Sequence, residues 1–270
     1  MHYPHSGEQR PKIMFTVNDK LGFFTTHKQR LVSAAVEFTS KCDLRCTYCT
    51  VSLPGDVGLD LDPATDQQII SQLKTLEVAE VTLNGRGETT SMPDWMERVR
   101  PFIRSFRVRL ISNCARRFSD TEAELLANLD TLTVSIDSAD HQIMRDIRRR
   151  VDLDIITGNI LRVRIAAMRL RRKPPDLMLS SGIYDKNVFT LPNLARLAVA
   201  ISAAEVGFWN LVQYAEIQGA VNVRSINEMS VDQQRQALDA IDETIAILDN
   251  GGIRYFFAGN FVETLRNSLQ

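Results

Sequence analysis

Apolar, β-branched runs recur along the chain, and each is followed by a stretch whose apolar residues fall at helical spacing. The alternation repeats about six times with no internal sequence repeat, which predicts an α/β fold on parallel strands. Near-continuous apolar runs mark strands buried on both faces, and strand–helix–strand crossovers are right-handed. Eight such units close a barrel, so six predict an open, partial (βα)6 TIM-like barrel. A length of 270 residues suits one such unit or two smaller domains.

The expected strands are Ala34–Phe38, Ala79–Leu83, Arg107–Ile111, Thr131–Ile136, Leu177–Ile183 and Gly207–Gln213. Between the first two, Ile69, Ile70, Leu73 and Leu76 share one helical face. Trp95, Val99 and Phe102 do the same in the next helix, and core is the default place for them. Leu125, Leu126 and Leu129 follow Ser119-Asp-Thr-Glu122, a capping box. Leu161, Ile165 and Met168 are read as the buried stripe of the helix after the fourth strand. Thr190 is the expected N-cap of a helix carrying Leu194, Leu197 and Ile201, with Pro192 in its first turn. A last long helix, Ser230–Leu248, places Leu238, Ile241, Ile245 and Leu248 on one side and closes at Asn250-Gly251-Gly252. Residues 1–33 are then an N-terminal extension, 34–215 the core barrel, and 216–270 a C-terminal extension with a short strand at Ile253–Phe257.

With 44% hydrophobic and 24% charged residues, the composition excludes disordered and fibrous classes. A net charge of -1 gives no global field for nucleic acid, and no aromatic residues interleave with the basic stretch. No apolar run reaches the length of a membrane span, and the polar first ten residues hold no secretory core. A cytoplasmic protein with neither membrane nor nucleic-acid partner is expected. Three of the four cysteines fall within eight residues, which reads as a metal site rather than a disulfide framework.

That cluster, Cys42-x3-Cys46-x2-Cys49, directly follows the first expected strand. Three thiolates leave a tetrahedral zinc site one ligand short, and no histidine lies in the loop. A cubane iron–sulfur cluster takes one cysteine per iron, so three cysteines leave one iron with an open position. A zinc loop or a cluster store in a non-catalytic protein is the alternative. Parallel sheets place their chemistry in the loops at the C-terminal ends of strands. Gly85-Arg86-Gly87-Glu88 follows the second strand, Ser112-Asn113-Cys114 the third, and Ser135-Ile136-Asp137 ends the fourth.

The run from Lys41 to Cys49, with Tyr48 before the last cysteine, resembles the cluster loop of the radical S-adenosylmethionine (SAM) enzymes, whose pattern is C-x3-C-x-aromatic-C. The resemblance covers about residues 34–215. Gly85 to Glu88 resembles the family's glycine–glutamate motif, with Arg86 where a second glycine is commoner. Asp152 to Ile160 looks like the family's lead into its fourth helix. The resemblance implies a 4Fe–4S cluster on Cys42, Cys46 and Cys49, with SAM chelated at the open iron and Tyr48 near its adenine. It implies that Gly85 and Gly87 admit the methionine moiety and that Glu88 takes its ammonium group. Ser112 and Asn113 would meet the ribose or carboxylate, and Ser135 and Asp137 complete the cofactor-binding set. The implied chemistry is reductive cleavage of SAM to a 5′-deoxyadenosyl radical that abstracts a hydrogen atom, driven by a flavodoxin- or ferredoxin-type reductant.

The expected substrate is a small polar molecule, such as a sugar, aminoglycoside, nucleoside or amino-acid derivative, from specialised metabolism such as antibiotic biosynthesis. Epimerisation, elimination or rearrangement would follow, making the enzyme an epimerase, lyase or dehydratase. One cysteine outside the loop leaves no set for an auxiliary cluster, and 33 residues before the first strand leave no room for a cobalamin domain. A peptide-modifying enzyme is the alternative. Cys114 has two readings, a hydrogen donor to a substrate radical or a compact buried thiol. Tyr184, Asp185, Asn210, Gln213, Tyr214 and Glu216 are expected around the cavity, the acids as candidate general bases. Between Arg145 and Lys173 lie ten Arg or Lys and three Asp. They read as a solvated face, or Arg145 or Arg148 clamps an anionic group of the substrate.

Overall fold

The computed structural model describes residues 13–15, 32–210 and 223–269. In chain order the elements are β1 (Ile13–Phe15), β2 (Ser33–Val36), β3 (Arg45–Cys46), α1 (Asp66–Thr75), β4 (Glu80–Leu83), α2 (Trp95–Ser105), β5 (Arg107–Ser112) and α3 (Asp120–Leu126). There follow β6 (Thr131–Ser135), α4 (His141–Ile147), β7 (Arg148–Arg149), α5 (Leu153–Arg169), β8 (Asp176–Ile183), α6 (Leu191–Ala200) and β9 (Glu205–Asn210). The chain ends with α7 (Val231–Asn250), β10 (Arg254–Phe257) and α8 (Phe261–Ser268).

One sheet runs in the order β1-β2-β4-β5-β6-β8-β9-β10. Every neighbouring pair from β2 to β10 is parallel, and β1 lies antiparallel on β2. Among the described residues β1 and β10 do not pair, so the sheet stays open as expected. The six expected parallel strands become seven, because Arg254–Phe257 continues the sheet beside β9. Phe257 stacks on Phe208 with ring centroids 4.8 Å apart, which fastens that edge.

The helical faces follow the sequence pattern with three exceptions. Trp95, Val99 and Phe102 are fully buried, as are Leu126, Ile241 and Leu248. On α5, however, Leu161, Ile165 and Met168 are 54%, 48% and 74% exposed, and the buried face is Ile156, Ile160, Val163 and Ala167. The helix carries apolar residues nearly all round, so the pattern alone does not select the buried face. Leu76 ends α1 in solvent at 41% exposure. Thr190 stands at the N-cap position of α6 as expected, but its side chain accepts no capping bond; its hydroxyl donates to the Asn187 carbonyl at 2.9 Å.

Register places the functional loops on one edge. Val36 aligns with Leu83, Leu83 with Leu110, Ser112 with Val134 and Ser135 with Ser180. The loops leaving β2, β4, β5 and β6 therefore depart side by side.

The Ser119–Glu122 capping box forms and reaches beyond its helix. The Glu122 carboxylate accepts from the Ser119 N–H at 2.7 Å, from Trp95 Nε1 at 3.0 Å and from both terminal nitrogens of Arg116. Arg116 Nε in turn donates to the Thr90 carbonyl at 2.7 Å, tying α3 to the loop after β4. Burial alone pushes the Glu122 carboxyl up, but Arg116 and the other donors hold it at about 2, below its ordinary 4.5. A depressed carboxyl stabilises the fold above its ordinary pKa and loses that contribution as pH falls toward the folded value. Glu122→Gln should thus lower Tm by about 3–6 °C at pH 7. The gap between variant and wild type should narrow between about pH 4.5 and pH 2. Calorimetric melts across that range check this, and an equally wide gap at both ends refutes the charge assignment.

Candidate metal and cofactor site

The cysteine loop is fastened at its root before it reaches its thiols. The returning segment donates from Leu61 N to the Phe38 carbonyl at 2.7 Å, and Ser40 N donates to the Leu59 carbonyl at 2.8 Å. Asp60 accepts from Thr39 Oγ1 and from Lys41 Nζ, both at 2.6 Å. Further along, Cys46 pairs with Arg148 in the two-residue ladder of β3 and β7, and Thr47 N donates to the Ile147 carbonyl at 2.8 Å.

All four cysteines are free thiols. Cys42, Cys46 and Cys49 line one cavity of about 120 Å³. The same wall carries Tyr48, Gly85, Gly87, Glu88, Ser112, Asn113 and Ser135 from the expected set, together with Leu44, Asn84, Arg86, Ile111 and Arg148. Burial pushes the Cys42 thiol up to about 12, and burial takes Cys46 to about 11 against the opposing charge of Arg148. Near neutral pH these thiols keep their protons unless a cation takes their place. No fourth thiol and no histidine is among the described residues lining the cavity. Three sulfurs without a fourth donor fit a cubane cluster with one open corner better than a closed tetrahedral zinc site.

Gly87 is required by contact. A Cβ there would lie 2.3 Å from the Lys41 carbonyl oxygen and 2.4 Å from that of Thr39. The Glu88 N–H donates to the same Lys41 carbonyl at 2.8 Å, so the glycine turn rests on the root of the cysteine loop. The Glu88 carboxylate is buried and already engaged. Its Oε1 accepts from Thr90 N at 3.0 Å, Thr90 Oγ1 at 2.7 Å and Ser112 Oγ at 2.9 Å, and its Oε2 accepts from Asn113 N at 2.7 Å. Burial pushes this carboxyl up, opposed by those donors. Asn113 Nδ2 donates to Asp43 Oδ1 at 2.8 Å, closing the ring of ties between the loops after β2, β4 and β5.

Asp137 stands behind the wall rather than on it. Its fully buried carboxylate pairs with Arg148 Nε at 2.6 Å, accepts from Tyr48 Oη at 3.0 Å and accepts from Gly182 N at 2.9 Å. The Arg148 guanidinium lies 5.6 Å from the centre of the Tyr48 ring. Burial opposes the Arg148 charge, but Asp137 holds its pKa well above the ordinary value. Arg148, expected either on a solvated face or as a clamp on an anionic substrate group, is instead buried and paired with Asp137. The signal for this, a ladder of two residues, is too short to read from a pattern.

The remaining expected residues are dispersed. Cys114 is fully buried in the apolar core at a φ of 50°, apart from the cavity wall. Arg145 lines a second cavity. Tyr184 is fully buried against Tyr48, their ring centroids 5.5 Å apart. Asp185 pairs with Arg224 at 3.2 Å. Asn210 ends β9, while Gln213, Tyr214 and Glu216 lie outside the described residues.

An open parallel α/β sheet that brings three thiols and a glycine turn to one cavity at its C-terminal edge defines a cofactor-dependent class. The chain belongs to the radical SAM superfamily, whose family model matches residues 36–169. The family's cofactors are a 4Fe–4S cluster and SAM. Among similar proteins is a PqqA peptide cyclase of Methylobacterium nodulans, 27% identical over 190 residues that cover 64% of this chain and 44% of the relative. Among solved structures, Streptococcus suis SuiB bound to the precursor peptide SuiA matches with a TM-score of 0.66 at 16% identity, over 88% of this chain and 51% of that one. The anSMEcpe structure with bound AdoMet matches with a TM-score of 0.60 at 14% identity, over 84% of this chain and 63% of that one. The chain thus spans about half the length of the proteins it resembles.

Two substitutions test the ties behind the site. Arg148→Met leaves the Asp137 carboxylate buried without its counter-charge and should cost about 3–5 kcal/mol in urea unfolding. Adding Asp137→Asn should recover a large part of that loss; a double variant no more stable than the single one shows that the two groups do not act as a pair.

Proposed function

We propose that this chain is a radical SAM enzyme that modifies a peptide, holding its cluster through Cys42, Cys46 and Cys49. The observation that carries the reading is the single cavity where the three thiols meet Gly85, Gly87, Ser112, Asn113 and Ser135. Cys42, Cys46 and Cys49 would hold the cluster, which would supply the electron for reductive cleavage of SAM.

The chain's own groups do the positioning. Gly87 lets the glycine turn pack directly on the backbone of Thr39 and Lys41, which holds the turn against the root of the cysteine loop. Glu88 braces that turn against Ser112 and Asn113, so the polar groups facing the ligand arrive pre-oriented. Tyr48, anchored by Asp137, offers an aromatic edge beside the cysteines. The buried position of Cys46 limits water at its own sulfur, while Cys42 and Cys49 are partly exposed.

A peptide replaces the small polar substrate expected from sequence, and no epimerase, lyase or dehydratase subclass is assigned. The support is the peptide cyclase relative and the precursor peptide seen with SuiB. A flavodoxin or ferredoxin as reductant and a reducing compartment complete the proposal, since three thiols must meet iron unoxidised.

Anaerobic reconstitution tests it. The chain should turn brown with about four irons per chain. On reduction with SAM it should form 5′-deoxyadenosine, and Cys46→Ala should abolish both colour and product. Deuterium carried into 5′-deoxyadenosine from deuterated short peptides encoded beside the gene would identify the substrate class. One zinc per chain with no SAM cleavage refutes the enzyme and leaves the metal-binding alternative.

A further inference from the structure

Behind the cysteine loop lies a second, larger cavity of about 370 Å³ that the cofactor reading does not use. Its cationic wall comes from three elements: Arg145 of α4, Arg149 of β7 and Lys186 in the loop after β8. None of the three forms an ion pair among the described residues, whereas their neighbours Arg148 and Arg224 are paired with Asp137 and Asp185. The one acid on the wall, Asp146, accepts from Gln142 at 2.9 Å.

Thr47 adds a second, independent sign of a missing partner. Among the described residues its Oγ1 is buried without any hydrogen-bond partner, and Thr47 lines this cavity. Buried hydroxyls are almost always satisfied, so an orphan on a cavity wall points to an absent acceptor. The floor is apolar: buried Ile147 and Val223 also line the cavity and cluster with Tyr184. Cys46 and Tyr48, the residues flanking Thr47, both line the cofactor cavity. Whatever is held at Thr47 is therefore one residue from the reaction centre.

We propose that this cavity is a carboxylate-binding subsite that grips an acidic segment of the peptide substrate, through Arg145, Arg149, Lys186 and the Thr47 hydroxyl. The inference rests on the peptide reading above and narrows it to peptides with Asp or Glu near the reacting residue. Guanidinium forks match planar carboxylates, and the apolar floor suits the aliphatic stems that carry them. The volume falls in the range of ligand pockets. Cations spread over three elements suit several carboxylates along an extended chain better than one phosphate held on a nest of backbone N–H groups.

The probe is a fluorescein-labelled Ala-Glu-Ala-Glu-Ala-Glu peptide, with its Gln counterpart, titrated by anisotropy against the reconstituted full chain at low salt. The Glu peptide should bind at least about tenfold more tightly than the Gln peptide, and added salt should erode the difference. Arg145→Gln with Arg149→Gln should weaken the Glu peptide about tenfold or more, while Arg235→Gln on distant α7 changes nothing. Arg145→Glu with Arg149→Glu should instead prefer an Ala-Lys peptide. Equal binding of the Glu and Gln peptides to wild type overturns the proposal and needs no variant to fold. Wild-type affinity in the double variant also overturns it. Displacement of the Glu peptide by equimolar inorganic phosphate overturns it in favour of a phosphorylated ligand. Glu-selective binding by a chain that never forms 5′-deoxyadenosine removes the proposed function but keeps the subsite; the opposite pattern removes the subsite alone.

Discussion

One buried carboxylate fixes the geometry on which the cofactor cavity depends. Glu88 sits where three strand-end loops converge, and its two oxygens accept from Thr90, Ser112 and Asn113. An isolated carboxylate in an apolar interior is strongly disfavoured, so these donors are the condition for its presence. Because they belong to different loops, satisfying the charge also sets the spacing between the loops. Gly87 adds a steric constraint, since backbone touches backbone between Gly87 and the carbonyls of Thr39 and Lys41. The Arg116–Glu122–Trp95 group then holds Thr90 from the far side.

The Asp137–Arg148 pair does comparable work on the other flank. Its buried cation lowers the thiol pKa of Cys46 against the rise that burial causes, and its anion orients Tyr48. A buried ion pair contributes little net stability by itself. Its value here is positional, because Arg148 stands opposite Cys46 in the β3–β7 ladder and so couples the helix after β6 to the cysteine loop.

What the sequence revealed and what it hid follows from how local each signal is. That Cys42, Cys46 and Cys49 share one cavity was legible because thiols spaced this closely in a loop can converge, whereas Tyr48 beside them was legible only through the family resemblance. The strand runs and the Ser119–Glu122 box were legible because burial on both faces and end-capping leave contiguous patterns. The face of α5 was not, since its apolar residues nearly surround the helix and only tertiary packing decides which side is covered. Strand β10 was read as an appendage because four residues on an edge carry too short a run. Glu88 and Asp137 were recognised as important, but their partners lie up to 89 residues away in sequence, as between Tyr48 and Asp137, and no local pattern records such contacts.

The two cavities differ in what their walls are made of, and that difference has a consequence for specificity. The cofactor side is braced by buried, mutually satisfied groups, so changing any one of them disturbs several loops together. Across Thr47, the other wall is formed by Arg145, Arg149 and Lys186, all exposed, with no ion pair among the described residues to hold them. Exposed long side chains can be exchanged at little cost to the fold. A braced cavity set against a replaceable electrostatic wall lets the charge beside the site be changed while the sheet beneath is left unchanged.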